Sequence, residues 1–322
     1  MMYWVVLLVP LLTVVAAMVF AAARRQPLVT LAGDADVAAS ATAASQRSAV
    51  RLRLALLLTP TIVGVLAAAA IATFGQADAV GGPFGRTTFL LITPAVAASV
   101  AAVLLGYVPT FGESPSARVA ELARRNIGSF AGRGPLIRFA VLEALLVVAV
   151  LAFGFLAAPH STSLFYFYEG GMAGGGGTFP GFGYGIPLLI GVLATGLVTA
   201  LALAKIAGAP RPTNLELRAA DDALRRLTSA TVLAIASFAV AVSLAVILLM
   251  AGFSFWDVAA ARLDAGGHPV PVNATAQFLA ALSHAGVGAG VGFVVLAIYF
   301  LVRAVSSATQ HPFKVDGSGS AS

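Results

Sequence analysis

Residues Ser229–Ala251 read SATVLAIASFAVAVSLAVILLMA, a run without a single charged side chain. A helix that crosses about 30 Å of hydrocarbon needs roughly 20 mostly apolar residues, and this run is long enough. Similar runs recur at about Tyr3–Ala23, Leu54–Phe74, Thr88–Val108, Leu136–Ala157, Tyr184–Ala207 and Phe278–Val302. The expected fold is therefore all-α: a polytopic transmembrane helix bundle of seven spans. The run at Tyr3–Ala23 has no basic residue before it and meets Arg24 and Arg25 directly after it. A signal peptide has a basic start and a shorter apolar core, so this run is expected to remain as the first span.

Composition agrees. Of 322 residues, 59% are hydrophobic and 10% charged, with mean hydropathy +0.95. Soluble domains carry about 25% charged residues, and a soluble chain of this size has too much surface to hide so much apolar area. The net charge is +6. Basic loops against an anionic inner leaflet account for it, and no nucleic-acid partner is expected. The absence of cysteine excludes disulfides, thiolate chemistry and cysteine-ligated metals. Lysine occurs only at Lys205 and Lys314, an arginine bias typical of a GC-rich bacterial genome.

The basic residues also set an orientation. Arg24, Arg25, Arg47, Arg51 and Arg53 lie between spans one and two. Arg118, Arg124, Arg125, Arg133 and Arg138 lie between three and four, and Lys205, Arg211, Arg218, Arg225 and Arg226 between five and six. Arg303 and Lys314 follow span seven, while the opposite loops hold only Arg86 and Arg262. Positive charge stays inside, so the N-terminus is expected outside and the C-terminus in the cytoplasm. Residues 1–303 form the transmembrane domain, and 304–322, which ends in Gly-Ser repeats, is expected to be a short disordered tail.

The loops carry local signals. Ser114-Pro115 resembles a helix start and Gly128 a helix end, which suggests a basic helix lying on the inner leaflet or else a solvated loop. Thr213 and Glu216 have capping-box spacing. Asp221/Arg225 and Asp222/Arg226 are i,i+4 pairs, expected to be exposed on a cytoplasmic extension of span six. Pro159–Gly183, rich in aromatic residues and glycine, reads as a hairpin or cap at the outer surface, or a lid. Ser254 and Asp257 are placed to cap a short interfacial helix, with Gly266-Gly267 ending it. The Asn273-Ala274-Thr275 sequon is expected to go unused in a bacterium.

Charged groups inside a bilayer cost at least a few kcal/mol, so they are the first functional candidates. Glu143 lies about two turns into span four. It is expected either to move a proton or cation or to pair with Arg138 or another arginine of the inner surface, and the pairing is the simpler reading. His284 and Gln277 are candidates on span seven, His284 being expected to bond a neighbouring helix. Gly286, Gly288, Gly290 and Gly292 make two overlapping GxxxG pairs, expected to serve packing within the bundle. Pro60 and Pro94 lie inside spans. No histidines have metal-ligand spacing, so no metal or cofactor is expected. There is no GxxxxGK[ST], no HExxH and no lysine in span seven for a Schiff base.

The span ending in Arg24-Arg25, the Tyr184-Gly185-Ile186-Pro187 opening of span five and the stretch Ala220-Asp221-Asp222-Ala223-Leu224-Arg225-Arg226 together resemble hypothetical membrane proteins of actinomycetes. The resemblance covers short patches. It implies a bacterial plasma membrane and brings no activity. With no catalytic set in view, a non-enzymatic scaffold, sensor or accessory subunit is expected, in contact with the lipid bilayer and a cytoplasmic or membrane protein partner. The alternative is a small-solute or ion transporter or permease subunit, with Glu143 and His284 in its path.

Overall fold

The computed structural model describes residues 30–31, 50, 52–64, 86–107, 127–158, 164–169, 172–210, 215–260, 267–268, 273–310 and 314–315. Among these are seven helices: α1 (Leu52–Gly64), α2 (Arg86–Leu105), α3 (Ile127–Ala131), α4 (Arg133–Leu156), α5 (Phe182–Gly208), α6 (Leu215–Ala260) and α7 (Ala274–Thr309). Two strands, β2 (Leu164–Glu169) and β3 (Met172–Thr178), form a hairpin, and the two-residue strands β1 (Thr30–Leu31) and β4 (Lys314–Val315) pair in parallel. These helices are not a one-to-one set with the expected spans. Tyr3–Ala23 and the second half of Leu54–Phe74 lie outside the described residues, as do Ser114-Pro115 and Thr213, and α3 is only five residues long.

Helices α4 to α7 are long and apolar enough to cross a membrane. Their outward faces support the same view. Helix α4 buries Phe139, Leu142, Leu146 and Val150, yet turns Ile137, Val141, Leu145 and Val148 outward. Helix α5 buries Leu188 and Val192 and exposes Ile190, Leu193, Leu197 and Leu201. A helix facing water carries polar residues on its outer stripe. Here both stripes are apolar, which suits hydrocarbon on the outside.

The helices reverse direction in turn. Val150 of α4 meets Gly185 of α5, and Glu143 of α4 meets Gly196, so the two run antiparallel. Gly252 and Ala245 of α6 meet Gly286 and Gly290 of α7, again antiparallel. Helices α2 and α5, separated by one span, run in the same direction, with Ile92 on Gly191 and Ala202 on Gly106. Helix α6 is the hub: α2, α3, α4, α5, α7 and the hairpin all pack on it. Most of its apolar span is buried, whereas α4, α5 and α7 keep most of theirs outward.

The alternation gathers basic residues at one end. Lys205 Nζ sits 2.7 Å from the centroid of the Tyr107 ring. Arg225 reaches the end of α5, and Arg138 and Arg303 line one cleft. The other end is aromatic. Phe165 of β2 lies 5.2 Å from Phe179 and 5.1 Å from Phe255 between ring centroids, and Phe179 also meets Phe153 of α4 at 5.8 Å. An isolated two-stranded hairpin is marginal in stability, and this knot is what holds it to α4 and α6. The expected aromatic hairpin is thus present, with Tyr166 in register with Gly175 and Phe167 with Gly174.

Three local expectations are corrected. Ser254 and Asp257 do not cap a separate helix, because α6 continues unbroken to Ala260. No proline or glycine interrupts Phe253–Ala260, and burial of Phe255 and Val258 holds those turns in place. Gly128 does not end a helix but lies inside α3; the break comes at Gly132, whose φ of +73° suits a residue without Cβ. Helix α7 runs on to Thr309, through residues assigned from sequence to the tail, because Ala304, Val305 and Ala308 are buried against α1, α2 and α6.

Asn273, whose sequon was expected to be empty, caps α7. Its side chain accepts the Ala276 N–H at 2.9 Å. Replacing Asn273 with alanine is expected to cost about 1 kcal/mol, visible as a lower thermal midpoint in detergent; an unchanged midpoint would remove this cap from the stability of α7.

Candidate functional site

Glu143 sits on the face of α4 that meets α5. Its carboxyl group rests on Gly196, where even a Cβ would come within 3.0 Å of the carboxyl carbon. The missing side chain at 196 makes the room that Glu143 occupies. Its Oε1 is buried and makes no hydrogen bond to a described residue. The expected ion pair with Arg138 is not formed. Five residues on a helix subtend about 140° round the axis, so the two side chains leave α4 on different faces. Arg138 instead bonds within its own helix, its Nε donating to the Gly134 carbonyl at 3.4 Å, and lines a cleft shared with α7.

His284 is exposed, and its hydrogen bond stays within its own helix: Nδ1 donates to the Ala280 carbonyl at 2.6 Å. This corrects the expected bond to a neighbouring helix. What reaches across is an aromatic edge, with the Trp256 ring of α6 at 5.7 Å and 88°. Gln277 is exposed two turns earlier on α7. The three polar candidates therefore do not converge: Glu143 faces α5, and His284 and Gln277 lie on the exposed side of α7.

The four glycines of α7 divide into two pairs. Gly286 lies 3.2 Å from Gly252 Cα by its would-be Cβ, and Gly290 lies 3.2 Å from the Ala245 carbonyl. This pair packs within the chain, as expected. Gly288 and Gly292 have nothing within 4 Å. Two residues of offset turn the second pair to another side of the helix.

The most elaborate polar cluster is one that sequence reasoning placed at the surface. Asp221 and Arg225 are 0% and 1% exposed, with Arg225 Nε donating to Asp221 Oδ2 at 2.7 Å. The same guanidinium donates to the carbonyls of Ile206 at 2.8 Å, Ala209 at 2.9 Å and Pro210 at 2.8 Å. These carbonyls end α5, where helix bonds run out and the macrodipole is negative. The Phe130 ring of α3 lies 5.8 Å away. Arg225 thus ties α3, α5 and α6 together. The available signal was Ala209-Pro210, which stops α5 a few residues before α6 begins.

A second missed feature is a polar seam between α2 and α5. Thr195 Oγ1 lies 3.0 Å from Ser99 Oγ and 3.1 Å from the Ala95 carbonyl. It satisfies hydroxyls between apolar helices and joins no other candidate. Among the described residues, no three His, Cys, Asp or Glu side chains come together as metal ligands would.

Compared with known proteins, the chain matches no family model, no curated sequence and no solved structure. The class of protein that remains is a helical one with four helices able to cross a membrane. Among the described residues its polar interior is built mainly of hydroxyls, the Asp221–Arg225 clamp, the buried Arg53 and the carboxylate of Glu143.

Proposed function

We propose that the chain is a seven-span, multi-pass protein of an actinobacterial plasma membrane, with its N-terminus outside and its C-terminus in the cytoplasm. In this reading it works without catalysis, as a scaffold, sensor or accessory subunit for a cytoplasmic or membrane partner. The observation that carries this is helix α6. It runs unbroken for 46 residues, or roughly 70 Å at 1.5 Å per residue, which is more than twice the hydrocarbon thickness. Its first turns extend past the expected span and are anchored by Arg225 to the end of α5. They present Ala219 and Arg226 outward, on a base too rigid to be a mere linker. Such a surface suits docking. Gathering of Lys205, Arg225, Arg138 and Arg303 at one end supports placing that end in the cytoplasm.

Reporter fusions test the threading. A fluorescent protein fused after Ser322 is expected to glow, and alkaline phosphatase inserted at Gly267 to be active. Active phosphatase at Ser322 would overturn the orientation.

The transporter reading keeps one observation in its favour: the buried Oε1 of Glu143 without a hydrogen bond, in a place where a bare charge is costly. It predicts a proton or cation flux in proteoliposomes that Glu143→Gln abolishes. The scaffold reading expects no Glu143-dependent flux, and a Glu143→Gln protein that folds and inserts as the parent does. A flux lost on that substitution would replace the first reading by the second.

A further inference from the structure

The open cleft at the basic end of the molecule is lined by Pro135 and Arg138 of α4, Ala230, Leu233 and Ser237 of α6, and Arg303 of α7, among others. Two guanidinium groups from different helices face it, and none of its lining residues is acidic. Arg303 is held in place, with Nη1 donating to the Tyr299 hydroxyl at 2.8 Å. Arg138, from α4, lines the same cleft. Two cations from different helices thus face one cleft, and neither has a carboxylate partner among the described residues. Their mutual repulsion is relieved by an anion seated between them. Planar, multi-donor guanidinium groups suit the oxygens of a phosphate.

The remaining walls choose the kind of phosphate. Leu233, Phe300 and Pro135 make an apolar floor. Next to the cleft, the outward stripes of α4 (Ile137, Val141) and α7 (Val295) are bare apolar surface. A free metabolite gains nothing from such surroundings, whereas a phospholipid lays its acyl chains along them.

We propose that this cleft binds the phosphate headgroup of an anionic phospholipid, with Arg138 and Arg303 as the phosphate ligands and Ser237 within the same cleft. The site goes beyond the scaffold reading, since it holds whatever task the protein performs. Basic pockets between membrane helices near the cytoplasmic surface have this recognition chemistry in general.

The test uses full-length protein purified in a neutral detergent and titrated separately with phosphatidylglycerol, phosphatidylcholine and inorganic phosphate, following the thermal midpoint and bound lipid by native mass spectrometry. Phosphatidylglycerol is expected to bind and raise the midpoint, and phosphatidylcholine to do so weakly. The double substitution Arg138→Gln with Arg303→Gln is expected to weaken phosphatidylglycerol binding about thirtyfold, since each arginine contributes about one logarithmic step or somewhat less. Arg226→Gln, outside the cleft, is expected to leave it unchanged. If the double variant does not fold, Arg138→Lys and Arg303→Lys keep the charge and lose the fork, and are expected to weaken binding severalfold each. Equal binding of both lipids by the parent protein, or undiminished phosphatidylglycerol binding in the glutamine or lysine variants, would overturn the proposal. Stabilisation by inorganic phosphate as strong as by phosphatidylglycerol would overturn the lipid assignment.

Discussion

Arg225→Ala is expected to be the most damaging single substitution at a polar residue of this protein, at about 3–5 kcal/mol, the usual consequence of breaking a buried ion pair on one side. Three carbonyls at the end of α5 and the carboxylate of Asp221 lose their donor together. Asp221 is fully buried, so its carboxylate loses the guanidinium that it holds at 2.7 Å. Heating the variant in detergent while following helical circular dichroism should show a much lower midpoint, or a protein that fails to accumulate in membranes. Arg225→Lys should also be costly, because an ammonium has three donors on one atom and cannot span four acceptors spread along a chain end. Replacing Asp221 and Arg225 together with apolar residues of similar size should recover part of the loss, because the desolvation cost of both charges disappears. A midpoint for Arg225→Ala equal to the parent's would mean that the cluster is ornamental.

Gly252→Ala is expected to be the second, at about 1–3 kcal/mol or more for an overpacked contact. A Cβ at 252 would lie 2.9 Å from the backbone nitrogen of Val287 and 3.1 Å from the carbonyl of Ser283. Backbone atoms cannot rotate away as a side chain can, so α6 and α7 would have to separate. In a bilayer, close packing and not water exclusion holds helices together, and the separation is felt along the whole contact. The comparison is internal to the protein. Gly288→Ala and Gly292→Ala add their methyl groups to open space and should be neutral or slightly stabilising, since alanine is the better helix former by about 1 kcal/mol. Unfolding midpoints of the three variants, measured together, separate packing from propensity. Equal midpoints for Gly252→Ala and Gly288→Ala would refute the packing argument.

The contrast shows what a membrane sequence hides. Spans such as Leu136–Ala157 and Phe278–Val302 were legible because only length and apolarity were needed: α4 covers all but the last residue of the first, and α7 includes the second. Arginine placement gave each span an expected direction, and the contacts of α4 with α5 and of α6 with α7 are antiparallel, as that alternation requires. Which face turns inward was not legible. In water an amphipathic pattern marks the buried stripe, but α4 and α5 are apolar all round, so nothing in the residue types told Leu142 from Val141. Likewise the GxxxG spacing could not say that Gly286 and Gly290 pack while Gly288 and Gly292 do not. Asp221 and Arg225 were misplaced at the surface for a related reason. Spacing showed that the two could pair, but only the tertiary meeting of the ends of α5 and α6 buries them. Glu143 was found because charge in a span is rare; its seat at Gly196 and its separation from Arg138 needed the fold.

One consequence of the shape of α6 remains. A helix without proline and with a single glycine has no site at which to hinge, so it behaves as a stiff shaft. The aromatic knot grips it near one tip and the Arg225 clamp near the other. A sideways push delivered at the hairpin must therefore arrive at the far tip as tilt or twist of the whole shaft rather than being absorbed along the way, which makes this single element a mechanical conductor from the hairpin to the Arg225 clamp.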